Sequence, residues 1–181
     1  VELECEICKG KRFKDEITAI KYNGVSIDML LNMTVDDSIK FFRKYNQTKI
    51  VNKLLPLQSV GLGYVSLGQS SNTLSGGEAQ RIKLASFIGK GDQIDKTFFI
   101  FDEPTTGLHF HDVKKLLNTF DKLIRMGHSI LVIEHNLDMI YCADHIIDLG
   151  PEGGDKGGNI IAEGSPEEII KNKKSYTGQY L

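Results

Sequence analysis

Apolar and polar positions along this chain alternate in blocks that predict strands and helices in turn. Continuous apolar runs at 97–101 and 129–133 are typical of parallel strands that are buried on both faces, and 145–149 predicts a third strand. Apolar residues at helical spacing predict helices over 75–88 and 110–126. This alternation predicts right-handed βαβ units, and hence an α/β fold with a mostly parallel sheet flanked by helices.

Smaller elements are predicted on either side of these blocks. Asn23-Gly24 indicates a hairpin turn within the β-like stretch 17–27. Thr34 is followed by two acidic residues and predicts a helix start, and Ser165-Pro166 predicts another. The remaining predictions are a helix over 49–57, a polar loop over 61–73, a short helix over 136–143 and an edge strand over 159–162.

Composition narrows the class of protein. The chain has 181 residues, 40% of them hydrophobic and 25% charged, which is ordinary for a globular protein with a core. Its net charge of -2 argues against a global basic field for nucleic acid. No apolar run approaches the roughly 20 residues of a membrane span, and no signal peptide is recognisable. Because the chain starts at Val1 and opens directly onto a cysteine pair, we interpret it as a fragment of a longer protein.

The first candidate for chemistry is Leu74-Ser75-Gly76-Gly77-Glu78, at a predicted helix start. Ser75 and Glu78 fit a capping box, which many helices with no binding role also have. Two glycines would leave backbone N–H groups uncovered at the positive end of the helix, where a phosphate is favoured, and the Ser75 hydroxyl adds a donor. These four residues, 75–78, are therefore candidates for nucleotide binding.

Two further candidates follow predicted strands. Asp102-Glu103 comes directly after an apolar run, and Glu134-His135-Asn136 follows the next strand. An acidic pair at a strand end is often only a solvated loop, and a lone histidine is more often structural than catalytic. In open parallel sheets, however, ligands bind at the carboxyl ends of the strands. There Asp102 would hold Mg²⁺, Glu103 would act as general base, and His135 would contact a phosphate or the attacking water.

Together these motifs resemble the signature motif, Walker B motif and switch histidine of ATP-binding-cassette ATPases. Each motif alone is a weak or moderate signal, and the three in this order form a highly specific pattern. The surrounding residues narrow the resemblance to the UvrA family. The runs that carry this closer resemblance are Gly61-Leu62-Gly63-Tyr64, Leu74 to Arg81, Asp102 to Phe110, Ile133 to Asp138, Asp148 to Asp155 and Tyr176 to Leu181.

This resemblance implies part of the ATP-hydrolysing DNA-damage-recognition subunit of bacterial nucleotide excision repair. Such a protein is cytoplasmic, uses ATP and Mg²⁺, forms a homodimer, binds distorted double-stranded DNA and loads a UvrB-type partner. The alternatives are a UvrA-like paralogue linked to drug resistance or self-protection, and a transporter or translation cassette. Against the last of these stand His109, the Glu134-His135-Asn136 run and the upstream cysteines.

The cysteine pair Cys5-x-x-Cys8 is ambiguous between zinc and redox chemistry. The resemblance favours zinc, as half of a four-cysteine module. Since a structural zinc site needs four ligands, we expect zinc to be absent, weakly held or shared with another chain in this fragment. Cys142 is predicted to be a buried apolar residue. The basic residues Lys9, Lys11, Arg12 and Lys14 form either a solvated charge run or, as the resemblance implies, a DNA contact.

No Gly-x-x-x-x-Gly-Lys-Ser/Thr motif occurs in these 181 residues. The predicted fold is therefore a P-loop NTPase-like fragment that lacks the Walker A strand and loop, and we expect the isolated chain to be catalytically inert. The resemblance implies three segments. Residues 1–16 would be the C-terminal half of a zinc-binding module, 17–73 the helical region of the signature subdomain and a linker, and 74–181 the C-terminal part of the second ATPase domain.

Overall fold

The computed structural model of the chain describes residues 5–6, 8–89, 95–154 and 157–181. The chain folds as two units, the first of which ends at Asp95 and the second of which begins at Lys96. Asp155, the last residue of one of the runs that carry the family resemblance, lies outside the described residues.

The first unit is built mainly of helices. A two-stranded hairpin, β1 (Lys21–Tyr22) and β2 (Val25–Ser26), turns at Asn23 and Gly24, both of which have positive φ angles. The predicted hairpin turn is therefore confirmed, since this pair of left-handed residues is what a two-residue hairpin loop requires. The helices of this unit are α1 (Asp15–Thr18), α2 (Ile27–Asn32), α3 (Val35–Lys44), α4 (Thr48–Ser59), a 3₁₀ turn (Ser71–Thr73) and α5 (Gly76–Ile88).

The core of the first unit lies between α3 and α4. Val35, Ile39 and Phe42, spaced at three and four residues on α3, are buried against Val51 of α4. The start of α3 is set by Thr34, whose hydroxyl accepts a hydrogen bond from the Asp37 N–H at 3.1 Å, as predicted for an N-cap. This helix pair supports the loop that leads to α5.

The second unit contains the strands that carry the candidate acidic pair and histidine. Its elements are β3 (Phe98–Asp102), α6 (Phe110–Arg125), β4 (Ser129–Ile133), α7 (Leu137–Tyr141), β5 (Ile146–Gly150), β6 (Asn159–Gly164), α8 (Pro166–Lys171) and α9 (Tyr176–Tyr180). β3 and β4 pair in parallel, with Phe98 opposite Ser129 and Asp102 opposite Ile133. The predicted α/β class, with a parallel sheet and flanking helices, is confirmed.

The third predicted strand pairs differently from the expected parallel arrangement. β5 is antiparallel to β6, and within the described ranges each sheet has two strands. Apolar residues of this hairpin, Ile146 and Ala162, pack on Ile169 of α8. The described residues of the connection from β5 to β6 carry no α-helix, so the hairpin pairs locally rather than through a crossover.

β3 and β4 are covered on one face only, and that cover is partial along β4, so the prediction that both faces are buried was wrong for this chain. Phe101 is 6% exposed, and its ring lies 4.9 Å from the ring of Phe120 on α6. On the opposite face Phe98 is 62% exposed, and Ile100 and Ile133 are also exposed. α6 covers one face of the pair. Cys142, predicted to be buried, is also exposed, because it lies at the C-terminal end of α7.

The three predicted functional segments, 1–16, 17–73 and 74–181, stay predictions. The two units of the fold divide the chain at another place, between Asp95 and Lys96, and α5 packs on α4 within the first unit. In the described part of the chain, no helix combines the length and the apolarity needed to cross a membrane.

Candidate functional site

The loop after β3 places two carboxylates at the carboxyl end of the parallel pair. Asp102 is the last residue of β3, and the Glu103 N–H donates to the carbonyl of Ile133 at 2.9 Å, which extends the pairing by one residue. Glu103 has a φ of 46°, in the left-handed region that a non-glycine residue rarely adopts. Pro104 beside it is fully buried. The chain therefore turns sharply after β3 and exposes both acidic side chains.

The structure brings Glu103 and His135 together. The Glu103 Oε1 atom lies 3.7 Å from the His135 Nδ1 atom, and the two side chains are 52% and 79% exposed. A pair this exposed contributes little to stability. The pair matters because of where it lies. The loops after two neighbouring parallel strands place a carboxylate and an imidazole next to each other at the solvent-exposed edge of the sheet. Two of the three predicted catalytic residues thus form a pair, and the third, Asp102, directly precedes Glu103.

Glu134 is a site residue whose role the sequence did not indicate. Its Oε1 atom accepts hydrogen bonds from the Thr105 N–H at 2.9 Å and the Thr105 hydroxyl at 2.5 Å. Its Oε2 atom accepts from the N–H groups of His135 at 3.0 Å and Asn136 at 3.1 Å. Burial raises the pKa of Glu134, but the hydrogen bonds from Thr105, Asn136 and His135 outweigh it, so the pKa lies below its usual value. One available signal was a carboxylate two residues before the N-cap asparagine, Asn136, at a helix start where N–H donors are unpaired.

The signature residues begin α5 as predicted. Ser75 Oγ accepts from the Glu78 N–H at 3.2 Å, and Glu78 Oε2 accepts from the Ser75 N–H at 2.8 Å, so the capping box is confirmed. Gly76 is exposed, and a Cβ atom at this position would meet nothing within 4 Å, whereas Gly77 is buried. Space is therefore open beside the Gly76 backbone at the N-terminus of a helix.

Tyr64 holds the capping box from the loop 61–73. Its hydroxyl donates to Glu78 Oε1 at 2.7 Å, so both oxygens of the Glu78 carboxylate are engaged. Tyr64 follows Gly63, whose carbonyl accepts from the Asp36 N–H at 2.9 Å at the start of α3. A Cβ atom at Gly63 would lie 2.5 Å from the Asp36 carboxylate, which explains glycine there. The hydrogen bond from the Tyr64 hydroxyl lowers the pKa of Glu78 most, and the hydrogen bond from the Ser75 N–H lowers it further. Together they outweigh burial, which raises this pKa.

Replacing Tyr64 by phenylalanine is expected to raise the pKa of Glu78 towards its usual value. The change removes the hydroxyl that contributes most to stabilising the ionised carboxylate, while the ring and the capping box remain. An NMR titration of the Glu78 side-chain carboxyl carbon measures the effect. Tyr180→Phe, an exposed tyrosine in α9, is the matched control and should leave this titration unchanged. An unchanged Glu78 pKa in Tyr64→Phe would show that the hydrogen bond does not form in solution.

The predicted site residues lie on both units. Ser75 to Glu78 belong to the first unit, and Asp102, Glu103 and His135 belong to the second. Within the second unit the structure places Glu103 beside His135 and directly after Asp102, and within the first unit it places Ser75 to Glu78 at the start of α5.

The cysteine pair lies in a turn at the start of the described chain. Cys5 is exposed and Cys8 is partly buried, and their carbonyls accept from the N–H groups of Lys9 and Lys11 at 2.8 and 2.9 Å. Ile7, between them, lies outside the described residues. Among the residues that the structure describes, no three His, Cys, Asp or Glu side chains are grouped to hold a metal. Because zinc needs four ligands, these two cysteines do not by themselves fit a structural zinc site.

The basic residues beside the cysteines have partly local roles. Arg12 donates from its guanidinium group to the carbonyl of Gly68, and Lys11 lies 3.6 Å from Asp15. The Arg12 hydrogen bond ties this turn to the loop 61–73 within the first unit. These interactions account for two of the four basic residues as parts of the folded surface.

Comparison with known proteins confirms the resemblance to UvrA. No family model matches the chain. UvrABC system protein A of Clostridium acetobutylicum is 58% identical over all 181 residues, that of Aquifex aeolicus is 54% identical and that of Rhizobium meliloti is 51% identical. Among solved structures, UvrA2 from Deinococcus radiodurans matches 98% of the chain with a TM-score of 0.82 and 38% identity, and the match covers 21% of that protein. The chain spans about a fifth of the length of the curated relatives, 18 to 19%.

Proposed function

Since the chain is similar along its whole length to UvrABC system protein A, we propose that it is part of the second ATP-binding-cassette half of a UvrA-type DNA-repair ATPase. The observation that carries this proposal is the Glu103–His135 pair, 3.7 Å apart, directly after Asp102 and at the carboxyl end of two parallel strands. An acidic pair and an imidazole at this edge can bind a metal-bound phosphate and activate a water molecule.

Asp102 and Glu103 fit a site for Mg²⁺ and an attacking water. Asp102 is an exposed carboxylate, and Mg²⁺ prefers oxygen ligands, so Asp102 would hold the ion, through water. When bound, Mg²⁺ would neutralise charge on the phosphates. Glu103 accepts a proton from the attacking water while the oxygen of that water forms a bond to the γ-phosphorus. The bond between the γ-phosphorus and the β–γ bridging oxygen breaks, and ADP leaves. His135 donates to the γ-phosphate or orients that water.

Ser75, Gly76, Gly77 and Glu78 serve a different nucleotide in this proposal. The Gly76 backbone is unobstructed at the start of a 13-residue helix, which suits a phosphate. Glu78 acts indirectly, because both of its oxygens are engaged by Ser75 and Tyr64. In a two-cassette protein these residues would close over the ATP held by the other cassette. Asp102, Glu103 and His135 would serve the ATP held by their own cassette.

The triphosphate-binding loop is not encoded in these 181 residues, since they contain no Gly-x-x-x-x-Gly-Lys-Ser/Thr motif. That loop supplies most of the grip on the triphosphate. We therefore expect the isolated chain to bind ATP poorly and not to turn it over. The complete protein would use ATP and Mg²⁺ in the cytoplasm as a homodimer.

The proposed substrate of the complete protein is distorted double-stranded DNA, which it would hand to a UvrB-type partner. A protein that accepts many unrelated lesions must read the shape and deformability of the duplex rather than base edges. The cysteine pair Cys5 and Cys8 would be half of a four-cysteine zinc site whose other ligands lie on another segment or chain. The basic residues beside it would then lie close to the DNA.

A UvrA-like paralogue is the second candidate, because the solved structure of UvrA2 matches nearly the whole chain. Sequence identity favours the repair protein, since the chain is 51 to 58% identical to UvrABC system protein A and 38% identical to UvrA2.

Complementation separates the two candidates. We expect the complete gene that carries this segment to restore the survival of a uvrA-deficient bacterial strain after ultraviolet irradiation. The same gene with Glu163→Gln, an exposed glutamate of β6, serves as the matched positive control. Survival no better than with an empty vector, from a protein expressed at normal level, would favour the paralogue.

A further inference from the structure

Glu134 joins the two loops that carry the candidate catalytic residues. Its carboxylate is half-buried and accepts four hydrogen bonds, two at each oxygen. Oε1 is bound by the backbone and side chain of Thr105, in the loop after β3. Oε2 is bound by the backbones of His135 and Asn136, in the loop after β4. A single side chain therefore connects segments that lie 29 residues apart.

The residues on either side of this connection are those that the proposed chemistry needs. Glu103 is two residues before Thr105, and its left-handed φ of 46° is unfavourable for a residue with a side chain. The Thr106 hydroxyl donates to Glu103 Oε2 at 3.3 Å, and the Thr106 N–H donates to the Glu103 carbonyl at 3.1 Å. His135 directly follows Glu134. The four hydrogen bonds of Glu134 thus hold the chain at Thr105, two residues after Glu103, and at His135 itself.

The four partners favour an ionised carboxylate. Each is an N–H or O–H group that donates to Glu134, and an ionised carboxylate is the side chain that only accepts. Glutamine has nearly the same shape, but its NH₂ group would face two of these donors. The low pKa of Glu134, which the hydrogen bonds produce against the effect of burial, agrees with a carboxylate that stays charged. Since its oxygens are occupied by protein donors, Glu134 is not suited to accept a proton from water.

We propose that Glu134 is a positioning residue that holds Glu103 and His135 at their mutual distance by binding the loops after β3 and β4, an inference that rests on the proposed ATPase function. Glu134 does not touch the reacting atoms. It fixes the backbone from which the general base and the phosphate-contacting imidazole project. A displacement of about 1 Å in such groups costs on the order of 100-fold in rate.

In the complete UvrA-type protein, Glu134→Gln is expected to lower kcat for ATP about 10- to 100-fold, with KM for ATP changed less than about threefold. Nucleotide binding is preserved because Glu134 makes no contact with a phosphate in this proposal. Steady-state ATP hydrolysis measures both constants. Glu163→Gln, on the exposed face of β6, is the matched control and should keep wild-type values.

Thr105 provides a second test that leaves Glu134 in place. Thr105→Ser keeps both donors to Oε1 and should retain wild-type kcat. Thr105→Val has nearly the same volume but lacks the hydroxyl donor, so its kcat should fall several-fold. A purely structural role would instead make kcat follow thermal stability, with the less bulky serine variant as affected as the valine variant.

The amide protons of the 181-residue chain give a readout that is independent of catalysis. In an NMR titration, the N–H signals of Thr105, His135 and Asn136 should shift together with a single pKa below the usual value for glutamate. Glu134→Gln should abolish this common transition. Three unrelated transitions, or none, would overturn the proposed connection even if the variant failed to hydrolyse ATP.

Failure of this inference is distinguishable from failure of the proposed function. If the complete wild-type protein does not hydrolyse ATP, the ATPase proposal fails. If the wild type is active and Glu103→Gln is inactive, but Glu134→Gln and Thr105→Val both keep full kcat, Glu134 has no positioning role. A rise in KM of Glu134→Gln that accounts for its whole loss of kcat/KM would also overturn the inference, because Glu134 would then act on binding.

Discussion

Replacing Glu103 by glutamine in the complete UvrA-type protein should reduce kcat for ATP hydrolysis about 10²- to 10⁴-fold, the usual contribution of a general base. Glutamine keeps the size of the side chain and its hydrogen bond from Thr106, but it cannot accept a proton from water. The Glu103 carboxylate is half-exposed and faces His135, so it is placed to reach a water molecule at the edge of the sheet.

Single-turnover hydrolysis and equilibrium binding of ATP should be measured on the same Glu103→Gln preparation. Binding is expected to stay within about threefold of the wild type, because the exchange leaves the turn after β3 intact. Glu163→Gln again serves as the control for a neutralised glutamate away from the site. Normal turnover in Glu103→Gln would exclude Glu103 as the base, and a binding loss equal to the loss in kcat would assign it to nucleotide binding instead.

Phe101→Ala should destabilise the second unit of the 181-residue chain by about 3–5 kcal/mol, as expected for a buried phenylalanine. Phe101 is nearly inaccessible to solvent, and its ring packs on Phe120 of α6 and stacks with Phe99 at 6.0 Å. Removing the ring leaves a cavity between β3 and α6, which the helix can fill only in part. Because Phe101 directly precedes Asp102, this packing also holds the acidic pair at the sheet edge.

The same strand offers a matched control, since Phe98 lies on the exposed face three residues earlier. Phe98→Ala should change the stability of the isolated chain by less than about 1 kcal/mol. Urea-dependent hydrogen exchange of the β4 amides reports on this unit alone. Equal losses in the two variants would contradict the one-sided burial of β3 and would show that its other face is also covered in solution.

The helix starts and the identity of the candidate residues were predictable because they depend on neighbours in the sequence. Thr34, Ser75 and Ser165 each cap a helix through groups three residues away, as a local pattern requires. The order of β3, α6 and β4 followed from the same short-range periodicity. The placement of Asp102 at the end of one strand and of His135 just after the neighbouring strand followed in turn.

The pairing of β5 and the exposure of the strands were not predictable in the same way. An apolar run such as 98–101 indicates a strand but does not say what covers each face, and here α6 covers the face of Phe101 alone. Similarly, the pattern of β5 does not distinguish a parallel neighbour from the antiparallel β6 that follows it. Both properties depend on which other elements are present to pack or pair.

By itself the sequence determined the family resemblance, the helix caps, and that Asp102, Glu103 and His135 lie at or just after the carboxyl ends of strands in an α/β fold. Only the tertiary structure decided that Glu103 and His135 lie 3.7 Å apart and that Glu134 connects their loops. The physical reason is distance along the chain. Caps are made within one helical turn, whereas the hydrogen bonds of Glu134 to Thr105 span 29 residues and form only once β3 and β4 are paired in register.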